Sequence, residues 1–197
     1  MRDFPTRPGN GERGATLIEV LITIVILTFG LLGVAGLQVR MHVAQAESYH
    51  RSHAVLLMQD MVDRVNANRI NALNYVTSAA LGTGNTVQDC TGLTSAALDL
   101  CEWNNALLGT AENTASGQKA GGMIGARGCI TNVVATMPRE FVVAVTWQGL
   151  VPTVAPASTT TCGLGLYGNE QTRRALVARV TIGCLQNDPT TGLCVTP

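Results

Sequence analysis

Four groups of residues in this chain are of types and spacings that could do chemistry. Glu47, His50 and His53 recur at three-residue intervals, which on a helix stacks them on adjoining turns where they could bracket a divalent metal. No further protein ligand accompanies them, so packing or exposure on a helix is the expected role. Gly163, Gly165 and Gly168 spell the G-x-G-x-x-G pattern of dinucleotide sites. That pattern needs a strand before it and a helix after it. Here it follows a Ser/Thr run and reads as turn glycines. Asp99 and Glu102 form an acid pair in a stretch expected to be a loop, where carboxylates are usually solvated. All three histidines lie between His42 and His53, so a Ser-His-Asp or Cys-His arrangement would have to borrow its base from outside the second half of the chain. An enzyme is not expected, and no cofactor or metal is called for.

The six cysteines, Cys90, Cys101, Cys129, Cys162, Cys184 and Cys194, all fall in the second half. They lack the tight Cys-x-x-Cys spacing of zinc and redox sites and so read as disulfides of an oxidising compartment. Six cysteines allow 15 pairings. Local spacing favours Cys90 with Cys101 and Cys184 with Cys194, which leaves Cys129 with Cys162.

These residues need elements to hold them. The chain has 197 residues, 13 Lys and Arg against 13 Asp and Glu, 13% charged residues and 46% hydrophobic residues. Such a length fits one core plus an appendage. Without a basic surplus the chain is not a nucleic-acid binder, because phosphate neutralisation requires one. From Ala15 to Val39 the sequence is largely apolar and Glu19 is its only charged residue. About 20 such residues cross the ~30 Å hydrocarbon core as a helix. The polar leader before it carries Arg2, Arg7 and Arg13 against Asp3 and Glu12, an excess that favours the cytoplasmic side. A carboxylate within a membrane helix costs about 2.5 to 3.5 kcal/mol, so Glu19 needs a role or a partner. Gly30, Gly33 and Gly36 put small residues at three-residue spacing along the same run, where they could permit close helix packing or merely be tolerated.

Beyond Arg40 the pattern Val43, Ala46, Ala54, Leu57, Met61 and Val65 keeps a helical period. One helix from Ala15 to about Asn66 is expected, on the order of 75 to 80 Å long. Its amphipathic second half implies a partner surface. Glu140 to Gln148 and Arg174 to Cys184 alternate as strands, and Cys129 to Thr136 adds a third. Asn68 to Gly128 and Gly149 to Thr161 read as long loops.

The junction of Gly14 with Ala15-Thr16-Leu17-Ile18-Glu19 resembles the prepilin signal of type IV pilins and pseudopilins. GATLIEVLITIVILTFGLLGVAGLQ together with GCIT, REFVVAVTWQGL and CGLGLYGNEQTRRALVARVTIGCL is similar to the PilV family of type IV pilus modification proteins, which are minor pilins. The first mature position is Ala15, where family members often carry Phe. The resemblance implies an α+β fold: a pilin-like roll with a long N-terminal helix packed on a small antiparallel sheet, stabilised by disulfides. It divides the chain into a leader at 1–14, a transmembrane and assembly half-helix at 15–39, an amphipathic half-helix at 40–67 and a periplasmic globular domain at 68–197. It implies cleavage after Gly14 and methylation of Ala15 by prepilin peptidase, and pairing of Glu19 with the amino terminus of a neighbouring subunit. The implied setting is the bacterial inner membrane and then the pilus fibre or tip. The implied partners are other minor pilins, the major pilin, the peptidase, the inner-membrane assembly platform and a tip adhesin, in support of adhesion and twitching motility. A type II secretion pseudopilin, or a single-pass anchor carrying a periplasmic binding module, would share the N-terminal features.

Overall fold

The computed structural model describes residues 14–110, 122–190 and 194–196. Helix α1 runs from Leu17 to Ala67, one to two residues from the bounds expected from the apolar run and the period that follows it. The chain divides into two compact units between Ala44 and Gln45. In the first, every residue from Gly14 to His42 is exposed. Thr23 and Thr28 turn their hydroxyls back onto the carbonyl oxygens of Val20 and Val25, each at 2.8 Å. This hides two polar groups on an otherwise apolar surface.

In the second unit the remainder of α1 turns one face inward, burying Ala54, Met61 and Val65. A four-stranded antiparallel sheet supplies the opposing surface, in the order β1 (Leu81–Gly82), β2 (Arg127–Val134), β3 (Arg139–Gln148) and β4 (Arg173–Ile182). Alternation decides what each face receives. Phe141, Val143, Val145 and Trp147 of β3, with Ile130 of β2 and Val180 and Ile182 of β4, are buried in one core with the helix residues. Register keeps them level: Ile130 faces Val143, and Phe141 faces Val180. Each such Val, Ile or Phe contributes roughly 1.5–3 kcal/mol relative to exposure. Strand β4 begins one residue earlier and ends two residues earlier than its alternation suggests, and β2 lies two residues nearer the N-terminus than expected. A small hairpin of β5 (Gln186–Asn187) and β6 (Cys194–Thr196) follows.

The stretch expected to be one long loop from Asn68 to Gly128 is not a loop throughout. A 3-10 helix occupies Arg69–Tyr75, and α2 occupies Ser95–Leu107. Ala96, Leu100, Trp103 and Leu107 recur at helical spacing and face the core. The Ala- and Asn-rich composition masked this period. The Trp103 ring comes so close to β2 that a Cβ at Gly128 would lie within 2.3 Å of it, so only glycine fits there. Its indole N–H donates to the Leu57 carbonyl at 2.9 Å, tying α2 to α1.

The chain from Cys162 to Tyr167 covers part of the second face of the sheet, at Cys129, Ala144 and Thr146. The Tyr167 and Thr146 hydroxyls are 3.0 Å apart in a buried pair, and Tyr167 donates to the Gly125 carbonyl at 2.8 Å. Disulfides join Cys90 to Cys101, Cys129 to Cys162 and Cys184 to Cys194. These are the pairs that local spacing favours. The middle one fastens the 162–167 segment to the sheet.

Candidate assembly segment

The apolar half of α1 is built by its own composition, since leucine, isoleucine and valine follow one another with no polar face. The start is capped. Thr16 immediately precedes the helix, and the Glu19 N–H reaches its carbonyl oxygen at 3.1 Å and its hydroxyl at 3.4 Å. Thr16-Leu17-Ile18-Glu19 is therefore the Thr-x-x-Glu pattern that signals a helix start, a signal legible in the sequence but not used in reading it. Glu19 lies in the first turn, where a carboxylate also complements the positive end of the helix dipole. Gly14 and Ala15 stand just before the helix, exposed. The rest of the expected leader, residues 1–13, lies outside the described residues.

Around the circumference the exposure is general: Leu17 is 91% exposed, Phe29 71% and Leu32 69%. A soluble helix would bury such a stripe. This one is long and apolar enough to cross a membrane. At Gly30, Gly33 and Gly36 an added Cβ would meet nothing within 4 Å, so the surface is open at each.

The other candidate residues are used within the second unit. Glu47 accepts the Leu150 N–H at 2.7 Å and the Arg174 guanidinium at 3.2 Å. His50 and His53 are half-buried, with their Nδ1 atoms buried and without a hydrogen-bond partner among the described residues, and the Tyr49 ring lies 5.9 Å from each imidazole. The triplet therefore does not converge, and among the described residues no three His, Cys, Asp or Glu side chains are grouped to hold a metal. Gly163, Gly165 and Gly168 have φ of +65°, +75° and +71°, left-handed turn positions, and a three-residue 3-10 helix follows them in place of a dinucleotide-binding helix.

Asp99 and Glu102 correct the expectation of solvated loop carboxylates. Both project from α2 onto Arg64 of α1, whose Nη1 meets Asp99 at 2.8 Å and Glu102 at 2.6 Å, while its Nε meets Asp60 at 3.1 Å. Partial burial works against the cation, but the hydrogen bonds to Glu102, Asp99 and Asp60 prevail and hold its pKa above the ordinary arginine value. The Tyr75 hydroxyl donates to Asp99 as well. Burial, reinforced by that bond, pushes the phenol up to about 12.

Arg173 is the residue that sequence reasoning missed. Fully buried at 1% exposure, it donates from Nε to Glu170 at 2.6 Å and from Nη1 to the carbonyls of Thr160 at 2.9 Å and Cys162 at 3.2 Å. Glu170 also accepts the Gly165 N–H at 2.8 Å; that bond first, then Arg173, draws its carboxyl below the usual glutamate range.

The chain thus has a capped, exposed apolar helix long enough to cross a membrane and a disulfide-bonded α+β domain. Comparison with known families agrees. Residues 9–35 match the prokaryotic N-terminal methylation motif, and residues 36–107 match the Tt1218-like family, described as type IV pilin Tt1218. No curated protein and no solved structure matches. The matches support a type IV pilin carrying the prepilin N-terminal methylation motif, and the matched pilin family is a structural one. The motif match spans Gly14, Ala15 and Glu19, and the pilin match takes in the amphipathic half of α1 through the end of α2.

Proposed function

We propose that this chain is a minor pilin of the type IV pilus. Prepilin peptidase cleaves it after Gly14 and methylates Ala15; the chain waits in the inner membrane with its C-terminal domain in the periplasm, and then enters the fibre. Within the fibre it joins other minor pilins and the major pilin in a priming complex near the tip, and supports assembly, adhesion and twitching motility. The observation that carries this reading is the apolar surface exposed around the whole of α1 from Leu17 to Val39, headed by an acid in its first turn and lying largely within the matched methylation motif.

That surface cannot remain in water, and in lipid its one charged residue, Glu19, still needs a partner. A neighbouring subunit's free amino terminus at Ala15 would neutralise the carboxylate, offsetting the roughly 2.5–3.5 kcal/mol that its place in the membrane costs. The open surface at Gly30, Gly33 and Gly36 lets a second helix come close.

Mass spectrometry of sheared fibres from producing cells tests this. The expected species lacks residues 1–14, begins with methylated Ala15 and is present in the fibre. Glu19→Gln should leave cleavage and membrane insertion intact while incorporation falls at least tenfold. An uncleaved chain in cells with active peptidase, or undiminished incorporation of the variant, refutes the reading.

A further inference from the structure

One recess lies wholly within the second unit and uses none of the residues assigned to assembly. It measures about 420 Å³ and is walled by one turn of α1, the end of β3 and the start of β4. Its charged groups are unequally engaged. Arg174 donates to the carbonyls of Val151 at 2.7 Å and Gln171 at 3.0 Å, and to Glu47 Oε1 at 3.2 Å. The same Oε1 accepts the Leu150 N–H at 2.7 Å. Among the described residues Glu47 Oε2 accepts no hydrogen bond, and Arg51, four positions on, has no hydrogen bond or ion pair.

An acid followed four residues later by a base ordinarily pairs with it along a helix, their Cβ atoms about 5–6 Å apart. Here Arg174 and Leu150 hold the acid instead, so one carboxylate oxygen and one guanidinium stand open in the same recess. Trp147, Ala175 and Leu176 supply its apolar wall. Trp147 is 3% exposed, and its indole N–H is buried without a hydrogen-bond partner among the described residues. Few buried donors in folded chains go unpaired.

These groups specify a ligand by its charges. A lone anion on Arg51 would meet the Glu47 carboxylate in the same space, and a lone cation on Oε2 would meet Arg51. An α-amino acid carries both charges on one carbon, which suits an acid and a base one helical turn apart. We propose that this recess binds a free α-amino acid with an aliphatic side chain. Its ammonium donates to Glu47 Oε2, its carboxylate accepts both prongs of the Arg51 guanidinium, and its side chain lies against Trp147 and Leu176. An occupied recess ties this turn of α1 to β3 and β4. The site requires no entry into a fibre.

Titration of the full chain in detergent micelles with L-leucine tests the site, read by calorimetry and by the indole N–H resonance of Trp147. Leucine should bind saturably and move that resonance. Arg51→Gln changes an exposed side chain that makes no hydrogen bond or ion pair among the described residues, so it should keep native circular dichroism while binding weakens at least tenfold. Isoamylamine and isocaproate, which each keep the leucine side chain but only one of its charges, should bind at least tenfold more weakly than leucine. No saturable shift at millimolar leucine, binding undiminished in Arg51→Gln, or either analogue binding as well as leucine overturns the proposal. The outcome is separable from the pilin reading: a chain that binds leucine yet keeps its leader in producing cells refutes that reading and leaves this site standing.

Discussion

Arg64 on α1 and Asp99 on α2 meet at 2.8 Å although 35 positions separate them in sequence. The same guanidinium bonds Asp60 one turn back on its own helix and Glu102 one turn on along α2. One cation thus sets the rotation of α2 against α1 while Trp103 sets its depth.

If the contact fixes that docking, its coupling is measurable. Arg64→Met should destabilise the domain by about 1–2 kcal/mol, since hydrogen bonds to charged groups are worth more than neutral ones and this group is only partly screened. A double-mutant cycle with Asp99→Asn, read by urea unfolding, should return a coupling of at least about 0.5 kcal/mol, the lower end for groups in contact. Additive losses would mean that Arg64 acts through its hydrocarbon stem alone.

The Tyr75 phenol gives a pH dependence of known sign. Its folded pKa of about 12 lies above the ordinary value of 10.0, so folding favours the neutral form. The contribution is therefore complete below pH 10 and declines as pH rises from there toward 12. Tyrosinate absorbance should show Tyr75 titrating late, and Tyr75→Phe should remove that late phase and flatten the alkaline fall in stability. A late phase that survives in Tyr75→Phe belongs to another tyrosine.

The disulfides should be unequal. Cys129–Cys162 closes 33 residues, against 11 for Cys90–Cys101 and 10 for Cys184–Cys194. In the chain-entropy model the long loop is worth about 3.5–4 kcal/mol and each short one roughly 2.5–3 kcal/mol. Paired Cys→Ser variants compared by thermal unfolding should therefore place the loss of Cys129–Cys162 lowest, and lower still because Arg173 loses the anchored carbonyls it binds. Non-reducing peptide mapping should recover the three pairs.

Much of this fold can be read from the sequence, for reasons visible in particular residues. Phe141, Val143, Val145 and Trp147 alternate without a break, and the partner strand from Arg173 alternates in register with them. α1 declares itself first by unbroken apolarity and then by period. α2 was missed because its inward face mixes Ala96, Leu100, Trp103 and Leu107 with the buried amide Asn104, which diluted the apolar signal. The roles of Asp99, Glu102 and Arg173 could not be read for a different reason. Each depends on a partner that is distant in sequence or is a main-chain carbonyl, and residue type does not report either. Thr16 and Glu19 are the opposite case, a local pairing fully spelled in the sequence.

Because α1 is apolar on every side up to Val39 but one-sided from Ala54 to Val65, a saturating substitution scan along this single helix should give two rhythms. In the early turns polar replacements should be penalised at consecutive positions with no beat, as expected where all azimuths meet hydrocarbon or neighbouring rods. In the later turns intolerance should return every three or four residues, and the point where one rhythm gives way to the other would mark, in living cells, where the greasy solvent ends for this subunit.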